Sequence, residues 1–154
     1  MAIKEIKGNI IHLGETGQLD GWVHGCNCYH AMGSGIAGQV ARRYPAVPEA
    51  DRVGSAYGDP YKIGTYTKAH CTSIVDPAIT FTVFNAYTQI APSYNGEDVF
   101  QYNGLHTVLT DFIGRLDLNR AEPTPYRLGI PKIGAGLAGG DWERIQHIIH
   151  NTLG

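Results

Sequence analysis

His24, Cys26, Cys28 and His30 recur at steps of two within "HGCNCYHAMGSG" (24–35), and a Gly-Ser-Gly turn follows at once. Four side chains of these types could ligate a metal, and the turn could cradle a phosphate. The metal chemistry fails on spacing. In an extended chain rising about 3.3 Å per residue, His24 and His30 stand about 20 Å apart, whereas zinc holds its ligands at about 2.0–2.3 Å. The other candidates are His70, Cys71, His106, His147 and His150, and they form no CxxC or HExxH pattern. No metal is expected, and Cys26 and Cys28 read as small buried residues of a strand. Asn27, pointing to the opposite face, needs partners that a ligand hydroxyl could supply.

The phosphate chemistry has more behind it. A strand, a glycine-rich turn and a helix follow one another twice, in "CNCYHAMGSGIAGQV" (26–40) and in "LGIPKIGAGLAGGDWERI" (128–145). Glycine admits positive φ and lets backbone approach a ligand closely. Successive N–H groups then form an anion-binding hollow, and a helix N-terminus adds unpaired donors and roughly half a positive charge. Two such turns at one sheet edge would clamp a diphosphate from two sides. Better-known signatures do not fit. No G-x-x-x-x-G-K-[ST] is present, and Gly33, Gly35 and Gly38 imitate G-x-G-x-x-G without the second strand and acidic tip of a dinucleotide fold.

The elements that must position these turns alternate between strand and helix. "AIKEIKGNII" (2–11) reads as a short strand turning at Gly8-Asn9, and "GWVHGCNC" (21–28) as a second. "GIAGQVARRY" (35–44) spaces Ile36, Val40 and Tyr44 as a helix that Pro45 ends. Residues 46–63 read as irregular, with a short helix around Pro48–Ser55. "GTYTKAHC" (64–71) and "AITFTVFNAYTQ" (78–89) read as strands. "NGLHTVLTDFIGRL" (103–116) is the clearest amphipathic helix, "YRLGIP" (126–131) a short strand and "DWERIQHIIHNTL" (141–153) a last helix. This order predicts an α/β fold of three layers built on βαβ units.

The bulk numbers bound the function. A chain of 154 residues fits one domain, 1–154, that needs neither metal nor disulfide to fold. Net charge is -2 with no run of Lys or Arg, which argues against a nucleic-acid partner. No apolar stretch is long enough to span a membrane, and "MAIKEIKGNIIHLGETG" has no signal-peptide core. Three cysteines, an odd count, suit a reducing cytoplasmic setting.

Four segments, in order, resemble the macro domain, the ADP-ribose-binding module: "KGNI" (7–10), "VHGCNC" with "GSGIAGQVARRYP" (23–28, 33–45), "VFNAYTQ" (83–89) and "IPKIGAGLAGGDWERI" (130–145). Within that family they most resemble the branch of the yeast ADP-ribose-1''-phosphate phosphatase and its phage counterparts. The resemblance implies an α/β/α fold with a mixed, largely parallel central sheet and a cleft at the strand ends. It implies that ADP-ribose lies between the backbone of Gly33, Ser34, Gly35, Ile36 and Ala37 and that of Gly134, Ala135, Gly136, Leu137 and Ala138. Gly8, Asn9 and Ile10 would lie by the adenine, and Asn27 by the distal ribose. The implied ligand is ADP-ribose or its 1''-phosphate, handled by a monomer without cofactor. The implied reaction is release of phosphate from the distal ribose. Removal of a mono-ADP-ribosyl or O-acyl group, or binding without turnover, are the alternatives. The candidate catalytic residues are Asn27, His30 and Asp141. Two positions depart from the family pattern: Asn9 stands where many members carry Asp, and Met32 where some carry His. The resemblance also implies a closing strand that this sequence ends before.

Overall fold

A computed structural model describes residues 3–92, 99–118, 125–135 and 138–154. Its centre is a four-stranded sheet: β1 (Gly21–Cys26), β2 (Tyr66–Thr72), β3 (Thr80–Tyr87) and the short β4 (Leu128–Gly129), in the order β2-β3-β1-β4. β1 runs parallel to β3 and to β4, whereas β2 is antiparallel to β3. The sheet is therefore mixed and mostly parallel, and the C-terminal ends of β1, β3 and β4 share one edge. Five of the six residues of β1 and six of the eight of β3 are buried. Continuous burial marks strands covered on both faces, which is why β3 carries Val83, Phe84, Asn85, Ala86 and Tyr87 without a solvent-facing polar row.

Helices form the outer layers. On one side, α1 (Ile10–Glu15), α2 (Gly35–Arg43) and α3 (Ala46–Gly54) pack Ile11, Val40 and Val47 with Trp22, Ala69, Cys71 and Val83. On the other, α4 (Tyr102–Arg115) and α5 (Trp142–Leu153) pack Leu105, Phe112, Ile145 and Ile149 with Val23, Phe84 and Ala86. Phe84 and Phe112 meet at 4.8 Å between centroids, and Tyr66 lies edge-on to both. Polar ties fix the layers. The Arg43 guanidinium donates twice to Glu15, at 2.7 and 2.9 Å, and the Tyr44 hydroxyl donates at 2.6 Å, joining α1 to the end of α2.

Three expectations change. The N-terminal segment is not a strand: among the described residues, 3–8 pair with no strand, and Ile10–Glu15 is helical. The side-chain oxygen of Asn9 accepts the Ile11 N–H at 3.0 Å, so the Gly-Asn pair starts a helix where it was read as the turn ending a strand. β1 ends at Cys26, so Asn27 and Cys28 lie beyond it. Residues 46–54 form a helix longer than the short one expected around Pro48–Ser55.

Candidate functional site

The candidate site is the edge where β1, β3 and β4 end. After β1, the Asn27 side-chain oxygen accepts the N–H groups of Tyr29 and Ala31 at 2.9 and 3.3 Å, and its amide donates to the Ala31 carbonyl at 2.8 Å. Asn27 thus shapes the turn that launches the first glycine loop. That loop ends in α2, whose N-cap Ser34 makes no side-chain capping bond. Ser34 therefore leaves the first-turn N–H groups of α2 uncapped, donors of the kind that bind an anion. Gly35 has φ +61°, a left-handed conformation that disfavours any other residue. A Cβ added at Gly33 or Gly35 would meet nothing within 4 Å, so both face open space.

The second loop follows β4. Ile133 and Ala138 bury their side chains in the α4–α5 layer, while Met32 and Ile36 of the first loop pack in the α1–α3 layer. The loops therefore approach one edge from opposite faces of the sheet. Gly134 has φ +76°, and a Cβ there would run into the Phe100 ring. Ala135 donates its N–H to the Lys132 carbonyl at 3.3 Å. Gly136 and Leu137 lie outside the described residues. Gly8 and Asn9 stand at the start of α1, and Ile10 lies beside Gly129 of β4, close to the second loop's origin. The Thr88 hydroxyl, just past β3 and against Gly25, is buried without a hydrogen-bond partner among the described residues.

The three candidate catalytic side chains do not form one cluster. Asp141 caps α5: its carboxylate accepts the Glu143 N–H at 3.0 Å, and its own N–H donates to the Tyr102 hydroxyl at 3.0 Å. His30 turns the other way, toward α3. Its Nε2 lies 3.2 Å from the Ser55 carbonyl, 3.3 Å from the Ser55 hydroxyl and 3.9 Å from the Asp51 carboxylate. The His30 ring is edge-on to Tyr57, which is edge-on to Tyr29, and its backbone is left-handed at φ 56°. Non-glycine residues rarely adopt that conformation, and such strain of about 1–3 kcal/mol gathers at functional sites.

Sequence reading missed the polar cluster under His30. Asp51 is 1% and Lys62 6% exposed. Asp51 accepts the Tyr87 hydroxyl at 2.6 Å, and Lys62 donates to the Ser55 hydroxyl at 2.9 Å with its Nζ over the Tyr87 ring. These residues come from α3, the turn at Pro60–Lys62 and β3, so no local spacing announces them. His24 and the cysteines of the His-Cys series are buried and unreactive. Burial holds His24 below its ordinary titration range, although the Asn85 bond at 2.7 Å partly opposes this. Burial likewise raises all three thiols, Cys71 to about 11, and so favours forms that neither attack nor ligate. Among the described residues, no three His, Cys, Asp or Glu side chains come together as a metal site. No described helix is long and apolar enough to cross a membrane.

No protein-family model matches the sequence. An uncharacterized 17.5 kDa protein from the tk-vs intergenic region of Enterobacteria phage T4 is 35% identical over 158 residues, covering 97% of this chain and 88% of its own. Among solved structures, the macrodomain of Mycobacterium tuberculosis DarG superposes with a TM-score of 0.65 at 22% identity, covering 96% of this chain and 86% of that one. Thermosipho africanus DarTG, solved in complex with ADP-ribose, gives a TM-score of 0.67 at 15% identity, covering 91% of this chain and 36% of that one. The edge with its two opposed loops is thus set in a macrodomain fold, and the chain belongs to the family of the T4 17.5 kDa protein.

Proposed function

We propose that the chain binds ADP-ribose across the two glycine loops and hydrolyses its 1''-phosphate to ADP-ribose and phosphate. The observation that carries the binding reading is the uncapped N-terminus of α2, with open space before Gly33 and Gly35. The likeness to a DarTG structure that holds ADP-ribose supports the same ligand. In this pose the N–H groups of Gly35, Ile36 and Ala37 take one side of the diphosphate. Gly134, Ala135, Gly136, Leu137 and Ala138 take the other. Gly8, Asn9 and Ile10 sit at the adenine end and Asn27 at the distal ribose.

We assign the proton transfer to His30. It takes a proton from a water whose oxygen bonds to phosphorus. The bond between phosphorus and the 1''-oxygen breaks, and the proton passes to that oxygen as ADP-ribose leaves. Charge developing on the phosphoryl oxygens is met by backbone donors held in place before the reaction. Asp141, committed to the α5 cap, contributes by fixing the second loop.

Phosphate release from ADP-ribose 1''-phosphate tests this reading. Saturable release, lost in His30→Ala, is expected; binding without release would leave a reader module. A second reading is removal of a mono-ADP-ribosyl or O-acyl group at the distal ribose. It rests on Tyr29 and Tyr57, 38% and 70% exposed beside the Asn27 turn, which offer a surface for a larger leaving group.

A further inference from the structure

The side chains between β1 and His30 have a direction. His24 approaches the Asn85 oxygen at 2.7 Å through Nε2. An amide oxygen only accepts, so His24 is the donor. The Asn85 amide donates to the Thr67 hydroxyl at 3.1 Å. Thr67 lies 3.1 Å from the Tyr87 hydroxyl, whose own proton goes to Asp51 at 2.6 Å, so Thr67 donates to Tyr87. From the other side, Lys62 donates to the Ser55 hydroxyl at 2.9 Å, which donates to the Asp51 carbonyl at 2.7 Å. Tyr87 and Ser55 both send their protons to Asp51, while the Asn85 amide also donates to the Val47 carbonyl at 3.1 Å.

His30 joins this network through Ser55. The Ser55 carbonyl, 3.2 Å from Nε2, can only accept, so Nε2 must carry the proton. Nδ1 is then the nitrogen with a lone pair. We propose that Asp51, Ser55 and Lys62 are positioning residues that hold His30 as its Nε2–H tautomer and leave Nδ1 as the base at the distal ribose. Asp51 and Lys62 anchor Ser55 at the end of α3, and Ser55 in turn holds the ring of a residue whose backbone is strained. The groups facing His30 are Asp51 and Ser55 of α3 and its end, and Tyr57 of the following turn; Lys62 and Tyr87 reach it through Ser55. The role of Nδ1 rests on the hydrolase reading above; the tautomer does not.

The test is nitrogen NMR of the full chain labelled on histidine, with turnover measured in parallel. In the neutral ring, His30 Nε2 is expected to give the protonated signal and Nδ1 the unprotonated one. Ser55→Ala keeps the carbonyl but frees it from the Asp51 and Lys62 anchors, and it and Asp51→Asn are expected to mix the two forms. Each should lower kcat about tenfold, as proton-transfer catalysis is worth roughly 10²–10⁴. KM should stay within about twofold, and Ser55→Thr, which keeps the hydroxyl, should restore the rate. A protonated Nδ1 in the unaltered protein would overturn the proposal, and needs no variant to fold. So would variants that lose kcat while the tautomer stays fixed. If the protein binds ADP-ribose but releases no phosphate, the NMR signals still decide the tautomer, so the two failures are distinguishable.

Discussion

At the residue scale, the informative positions are those whose backbone or protons are committed. Gly35 is left-handed yet faces open space, so a side chain there would not clash; it would only strain the backbone. Gly35→Ala is expected to cost about 1–2 kcal/mol of stability if the loop keeps its shape. If the loop relaxes instead, its N–H groups turn away, and a hydrogen bond to a charged group is worth about 1.5–3 kcal/mol. Calorimetry should then find ADP-ribose affinity reduced tenfold or more. Glu15 makes a separate prediction. Its bonds to Arg43 hold its carboxyl below the ordinary glutamate range, against the opposing effect of burial. A depressed folded-state value means that this stabilisation is complete above that range and lost as pH falls through it. Urea midpoints should therefore drop on acidification below about pH 4.3 more in the unaltered protein than in Glu15→Gln. At neutral pH, Glu15→Gln should cost about 1–3 kcal/mol, as Tyr44 and Arg43 lose a charged acceptor.

At the element scale, most of the framework could be read from the sequence because it is periodic. The apolar spacing of Leu105, Val108, Leu109 and Phe112 placed α4, and β3 showed its alternation at Thr80–Val83. Both glycine turns fall where a parallel strand hands over to a helix. The N-terminal segment was misread because Ile3 and Ile6 are spaced ambiguously, and the decisive fact was a single cap by Asn9. The Asp51–Ser55–Lys62 cluster could not be read at all, since its members meet only when α3 and the turn at Pro60–Lys62 pack. The same packing predicts an effect at Gly38 of α2. A Cβ there would sit 2.9 Å from the carbonyl carbon of Gly33, backbone that cannot swing aside as a flexible side chain could. Gly38→Ala should improve helix propensity by up to about 1 kcal/mol, yet push the first loop out of place. Denaturation midpoints close to the unaltered protein's, with weakened ADP-ribose binding, are the expected pair of results.

At the scale of the whole molecule, the fold brings the two glycine loops to one sheet edge from opposite faces, and the proposed ligand spans them. No basic surface is needed, because the charge of a diphosphate is met by N–H groups and a helix end. That explains how a chain of net charge -2 can suit a doubly charged ligand. Binding only the folded form would also stabilise it, by about 2.7 kcal/mol at a ligand concentration 100 times Kd. The most direct test is isothermal titration of the unaltered protein with ADP-ribose, beside Gly35→Ala. The account predicts saturable heat at a stoichiometry of one, weakened tenfold or more in the variant. Absence of heat at millimolar ligand, or equal affinity in both proteins, would contradict it.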